Sequence, residues 1–129
     1  MLVPALHFPG TCADAIALYK KVFAAQVIAI AYNKDAPMGT MGGNPDYIMH
    51  AELVIADTRM NMCDVSDAVV SGNMYLYNIF FDTADEVIAA YNHLSAEGRV
   101  ITALGPQFWN AMYADVVDKF EVHWQLMVK

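Results

Sequence analysis

Apolar residues along this chain fall into short continuous runs and helical stripes, and the two kinds follow one another in the same order twice. Met1 to Phe8 is an apolar run closed by Pro9-Gly10, which predicts a strand and then a turn. Thr11 with Asp14 three residues on is a capping-box pattern, able to satisfy amides left free at a helix start. Ile16, Tyr19 and Phe23 recur at helical spacing and predict an amphipathic helix of about three turns. Gln26 to Tyr32 predicts a second strand. Asn33 to Asp46 holds three Gly and two Pro, so it reads as a loop. Ile48 to Ala56 and Arg59 to Cys63 predict a strand pair joined at Asp57-Thr58, and Asp64 to Asn73 is a polar link.

The second half repeats this order. Met74 to Phe81 predicts a strand, and Thr83 with Glu86 is another capping box. Val87, Ile88, Tyr91 and Leu94 form a helical stripe that ends at Gly98, read as the C-cap. Arg99 to Ala103, Gln107 to Val117 and Phe120 to Val128 supply three more strands. The expected fold class is therefore α+β: two βαβββ modules, about 1–66 and 73–129, in one domain.

The halves superpose. A shift of 72 residues, the spacing of Thr11 and Thr83, puts Phe80 on Phe8, Glu86 on Asp14, Ile88 on Ile16 and Tyr91 on Tyr19. One inserted residue later, His50-Ala-Glu52-Leu53 lies over His123-Trp-Gln125-Leu126. Two amphipathic helices can match by pattern alone, but the second match argues for an internal duplication.

Composition narrows the partners. The 129 residues are 57% hydrophobic and 16% charged, which excludes a disordered chain. The longest apolar stretch, Val22 to Tyr32, is interrupted by Gln26 and is too short to span a bilayer, so no membrane partner is expected. Met1 leads straight into Leu-Val-Pro, without the pattern of a signal peptide. Cys12 and Cys63 make no disulfide framework or zinc spacing, and a reducing cytoplasm is the expected setting. A formal charge of −7 with no Lys/Arg cluster excludes a phosphate backbone as partner, so no nucleic acid is expected.

Strand alternation picks out the candidate chemistry. In the strand Ile48 to Ala56 it places Ile48, His50, Glu52 and Val54 on one face. In the last strand it places Glu121, His123, Gln125 and Met127 opposite an apolar face of Val122, Trp124, Leu126 and Val128. If the duplication holds, the two polar faces can converge on one cavity, with His7 from the first strand beside them. Imidazole and carboxylate oxygen suit both a divalent transition metal and acid–base work, so His50, Glu52 and His123 are the candidate metal ligands. Each His taken alone reads first as a hydrogen-bonded strand residue. Trp109 and Tyr113, four apart on an expected strand, share a side that would suit an apolar ligand, although such aromatics commonly belong to a core. The candidate ligand-binding residues are thus His7, His50, Glu52, Trp109, Tyr113, His123 and Gln125. Cys12 stands at the first helical position, where the helix dipole can depress a thiol pKa, but it reads first as a small buried hydrophobe. No phosphate-binding loop, dinucleotide fingerprint or G-x-S-x-G elbow is present; the cluster Gly39, Gly42 and Gly43 lacks the strand–helix context.

The same residues carry a family resemblance over essentially the whole chain. Leu6-His-Phe-Pro-Gly-Thr-Cys-Ala-Asp-Ala-Ile-Ala-Leu-Tyr-Lys-Lys-Val-Phe23 resembles the opening of PhnB-like proteins of the vicinal-oxygen-chelate superfamily. Met49-His-Ala-Glu-Leu53 is similar to their M-H-A-E-L strand. Gly98-Arg-Val100, Leu104, Phe108-Trp109 and Tyr113 resemble their G-x-V-x-x-x-L and F-W-x-x-x-Y segments, and Asp118-Lys-Phe120 with Trp124 their D-x-F-G-x-x-W ending. Asn110, Ala114 and Glu121 stand where that pattern has glycine. The resemblance implies a curved, cup-like, mostly antiparallel sheet with helices on its outer face, commonly paired as a homodimer, binding a small molecule. Its enzymes, which include glyoxalases and extradiol dioxygenases, hold one divalent metal through the first and last strands of each module; other members bind antibiotics. Carried over, the last-strand positions fall on Glu52 and Gln125. The first-strand positions fall near Ala5 and at Leu76 to Asn78, where no strong ligand stands unless His7, His50 or His123 substitutes. Ubiquinone-pathway methyl transfer, a label such chains bear, finds no glycine-rich loop for the methyl donor. The expectation is a small-molecule-binding protein with an incomplete metal site. The alternatives are a metal-dependent lyase, isomerase or dioxygenase, and a sequestering protein that binds a drug or metabolite unchanged.

Overall fold

In the computed structural model, which describes residues 1–37 and 43–129, the chain order is β1 (Ala5–Phe8), α1 (Cys12–Phe23), β2 (Gln26–Tyr32), β3 (Ile48–Ile55), β4 (Thr58–Asp64), β5 (Tyr77–Phe81), α2 (Ala84–Ser95), β6 (Arg99–Gln107), β7 (Asn110–Val117) and β8 (His123–Val128). Gly39 and Gly42 lie outside the described residues. The chain divides into two units, Met1–Val70 and Ser71–Lys129. Each is a βαβββ module with one four-stranded sheet, in the orders β1-β4-β3-β2 and β5-β8-β7-β6. The last three strands of a unit form an antiparallel meander, and its first strand pairs in parallel with its last. No described helix is long and apolar enough to cross a membrane.

One face of each sheet is covered by the unit's own helix. Helix α1 packs on β3 and β4, burying Ala15, Ile16 and Tyr19 with Leu53, Ile55, Met60 and Met62. Helix α2 packs chiefly on β7 and β8, burying Val87, Ala90 and Leu94 with Ile79, Val116, Trp124 and Leu126. Each large apolar side chain so buried contributes about 1.5–3 kcal/mol. Period-two alternation sends the neighbouring residues to the opposite, helix-free face, and these include the polar side chains around Glu52 and Asp115.

Several boundaries differ from the sequence expectation, each for a physical reason. Thr11 does not cap α1. Instead the Asp64 carboxylate, from the end of β4, accepts Cys12 N–H and Ile48 N–H, both at 2.9 Å. The box at α2 forms, with Glu86 N–H donating to Thr83 Oγ1 at 3.2 Å. Gly98 lies beyond Ser95, the end of α2, and is needed for close approach: a Cβ there would stand 2.2 Å from Val117 O and 2.6 Å from Leu94 O. The β3–β4 turn falls at Ala56 and Asp57, with φ of 47° and 65°, a left-handed pair that matches the twist of a two-residue hairpin. Strand β6 runs on to Gln107, so Phe108 and Trp109 form a turn instead of a strand. In β3 the ladder slips by one residue around Met49, so Ile48 is buried and does not share the face of His50.

The duplication is real, but its register differs from the one expected. In strand order β3 corresponds to β7 and β4 to β8, so His50 and Glu52 do not correspond to His123 and Gln125. Glu52 lies opposite Asn61 and Asp115 opposite Gln125; Val54 lies opposite Arg59 and Val117 opposite His123. The matching segments are Met49-His-Ala-Glu-Leu-Val54 and Met112-Tyr-Ala-Asp-Val-Val117. Glu52 is therefore on the third strand of its module, and the last-strand position belongs to Asn61.

Candidate functional site

The helix-free face of the first unit is built around Glu52. Its Oε1 accepts from Arg59 Nη2 at 2.6 Å and lies 3.1 Å from His50 Nε2. Arg59 comes from β4, where it lies opposite Val54, one alternate position along β3 from Glu52. Two polar atoms of the cluster, Arg59 Nε and Asn61 Oδ1, are buried and have no hydrogen-bond partner among the described residues. His7 shares this face on β1, paired with Cys63, but β4 stands between it and β3, so it is about 10 Å of sheet from His50.

The corresponding face of the second unit is built around Asp115, which is 7% exposed. His123 Nε2 contacts Asp115 Oδ1, and Gln125 Nε2 donates to Oδ2 at 3.3 Å. Beside it on β7, Tyr113 is buried, and burial, followed by the Asp115 charge, pushes its phenol pKa up. Trp109 meets the Tyr113 ring edge-on at 5.4 Å between centroids, and Phe108 meets Trp109 at 4.7 Å. The result is an aromatic ladder from the exposed β6–β7 turn down to a buried carboxylate.

The structure thus joins His50 to Glu52, His123 and Gln125 to Asp115, and Trp109 to Tyr113. Sequence reasoning missed Arg59, Asn61 and Asp115. The repeated M-x-A-[E/D]-x-V segment was the readable signal for Asp115. Arg59 and Asn61 follow only from strand pairing. Cys12 is no nucleophile: it is fully buried, and burial, with the Asp64 charge and Cys63 adding to it, pushes its thiol up to about 12.

The sequence profile of the Glyoxalase/Bleomycin resistance protein/Dioxygenase superfamily matches residues 4–126. The chain belongs to that superfamily. Protein YjdN of Escherichia coli strain K12 is 30% identical, over 98% of this chain and 94% of its own. The PhnB protein of Bacillus cereus shares the fold with a TM-score of 0.83 at 20% identity, covering 99% of this chain and 98% of its own. The fosfomycin resistance protein FosX of Listeria monocytogenes shares it with a TM-score of 0.71 at 12% identity, covering 98% and 90%; that structure is a complex with Mn(II) and dihydroxypropylphosphonic acid.

Members of this superfamily often bind a divalent metal, as FosX does. Among the described residues, the donors around Glu52 and Asp115 are already engaged by other side chains. Glu52 is already neutralised by a guanidinium, a permanent cation that competes with any ion. Asp115 is engaged by His123 and Gln125. Facing the two carboxylates, the last strands offer neutral amides, Asn61 and Gln125; next to these the first strands offer Ala5 and Asn78. Among the described residues, no three His, Cys, Asp or Glu side chains gather as a metal centre.

Proposed function

We propose that this superfamily member binds a small organic molecule on the helix-free faces of its sheets without a tightly held metal. One observation carries the reading: a carboxylate stands at the same register of both sheets, hydrogen-bonded by its neighbours, and in the second unit it lies at the foot of an aromatic ladder. Apolar walls with a few convergent polar groups are the usual chemistry of a ligand site. In this reading Trp109 and Tyr113 supply contact area, while His7, His50, Glu52, His123 and Gln125 fix orientation. Both cysteines are free, which supports a reducing, cytoplasmic setting.

Superfamily members often form dimers, and we propose a homodimer here. Edge strands β2 and β6 expose Ile28, Ile30, Val100 and Ile101, and β2 carries no charge to deter pairing.

Thermal melting against a panel of small metabolites tests the binding reading. A ligand at about 100 times its Kd should stabilise the protein by about 2.7 kcal/mol, and the shift should vanish in Trp109→Ala. A panel in which no compound separates wild type from Trp109→Ala refutes it. NMR of the ligand over hours then separates an enzyme from a sequestering protein.

A further inference from the structure

The two sheets share a ladder but carry different side chains on their helix-free faces. In the second unit the registers form two rows across β5, β8, β7 and β6. Phe80, Met127, Tyr113 and Gly105 stand side by side, and Asn78, Gln125, Asp115 and Thr102 make the next row on the same face. Residues paired in a ladder point to one face, so the first row is an apolar stripe and the second a polar one. The stripes lie about 7 Å apart, the rise of two strand residues. In the first unit His7, Cys63 and His50 hold the places of Phe80, Met127 and Tyr113, and Ala5 and Ala29 those of Asn78 and Thr102. An apolar ring therefore has a seat on the second sheet that the first does not offer.

Along the apolar stripe Met127 and Tyr113 form a buried floor, and Phe80 rises at one side, 50% exposed. At the other side Trp109, 53% exposed, stands edge-on to Tyr113. Toward β6 the stripe is open, because a Cβ at Gly105 would meet nothing within 4 Å. The polar stripe presents little charge. Asp115 is buried, with Oδ1 engaged by His123 and Oδ2 by Gln125. Strands β5, β7 and β8 carry no lysine or arginine, and Arg99 at the start of β6 is held by Glu121 at 2.7 Å. What remains for a ligand is Asn78, Gln125 and Thr102, amides and a hydroxyl that give and take hydrogen bonds without charge.

We propose that the second sheet seats an uncharged, planar, fused-ring ligand with a hydrogen-bond donor and an acceptor on one edge, as in a bicyclic lactam. Its ring lies over Met127 and Tyr113, between Phe80 and Trp109. Its polar edge meets the amide and hydroxyl stripe, with Thr102 at the β6 end. Gly105 keeps the space beside Tyr113 open and so sets how long the ring system can be. This rests on the small-molecule reading above and names its ligand class.

Equilibrium dialysis with four bicycles of one size tests it: 2-quinolinone, naphthalene, 2-naphthoate and the permanent cation N-methylquinolinium. The wild type should bind 2-quinolinone about tenfold more tightly than naphthalene, and both ions more weakly than 2-quinolinone. Thr102→Val should cut the preference for 2-quinolinone about two- to tenfold and leave naphthalene unchanged, which a merely structural role would not do. Gly105→Leu should weaken 2-quinolinone and naphthalene alike, by about tenfold or more; if that variant does not fold, Thr102→Val decides alone. Equal binding of 2-quinolinone and naphthalene, or tighter binding of either ion, overturns the ligand class. If the compound that binds is still lost in Trp109→Ala, the small-molecule reading stands. Binding of 2-quinolinone unchanged in both Thr102→Val and Gly105→Leu overturns its placement on this sheet. No binding of any of the four overturns the proposal, and the metabolite panel then decides the broader reading.

Discussion

Glu52 and Asp115 occupy the same position in the two sheets: each lies on the third strand of its unit, directly opposite a side-chain amide, Asn61 or Gln125, on the fourth. Two alternate positions along the fourth strands make the difference. Arg59 meets Glu52 with a guanidinium, whereas His123 meets Asp115 with an imidazole. The duplication kept the acid and changed its partner.

Metal retention tests the first consequence. After dialysis, the protein should hold well under one equivalent of zinc, nickel, manganese or iron per chain by elemental analysis. Arg59→Met, which removes the competing guanidinium from Glu52, should bind divalent ions more tightly than the wild type. One tightly held equivalent in the wild type would show that the donors do fit a metal.

The turn before β8 provides a second test. Glu121 adopts φ 69°, the left-handed conformation that the related D-x-F-G pattern gives to glycine, and its carboxylate pairs with Arg99 at 2.7 Å. The left-handed backbone costs a non-glycine residue about 1–2 kcal/mol, and an exposed pair returns about 0–1 kcal/mol. Glu121→Gly should therefore stabilise the protein by about 0–2 kcal/mol in urea titration. A loss of stability would mean that the ion pair outweighs the strain.

Alkaline stability tests the burial of Cys12. Its thiol is pushed up from 9.0 to about 12, so between those values the unfolded chain gives up a proton that the folded chain keeps. Stability from this group is complete below pH 9 and declines as pH rises toward 12, by up to roughly 4 kcal/mol across the window. Urea midpoints measured at pH 8 and pH 10.5 should fall more for wild type than for Cys12→Ala. Equal slopes would show that Cys12 is not the group responsible.

Oligomeric state checks the exposed edges. Light scattering behind a sizing column should give twice the chain mass at micromolar concentration, and Ile28→Lys or Ile101→Lys should shift it toward one chain if that edge pairs. A stable single-chain mass in the wild type refutes the dimer.

Much of the fold was legible because it rests on local rules. The helical stripes through Tyr19 and Leu94, the Thr83–Glu86 cap and the alternation around His50 and Trp124 depend on residues a few positions apart. The βαβββ order and its repetition follow from them. Strand pairing is not local. Whether Glu52 answers to Gln125 or to Asp115 turns on which strands lie side by side, and similar alternating segments cannot settle that until the ladders form. The same holds for Asp64, which reaches across 52 residues to the amide of Cys12 and takes the capping role that Thr11 promised. Chemistry was divided in the same way. The sequence by itself determined the βαβββ repeat and that His50 and His123 lie on polar faces, since side-chain direction in a strand has period two. Only the tertiary structure decided that one of them shares its carboxylate with an arginine and the other does not, because hydrogen-bond partners on adjacent strands are chosen by register, not by spacing along the chain.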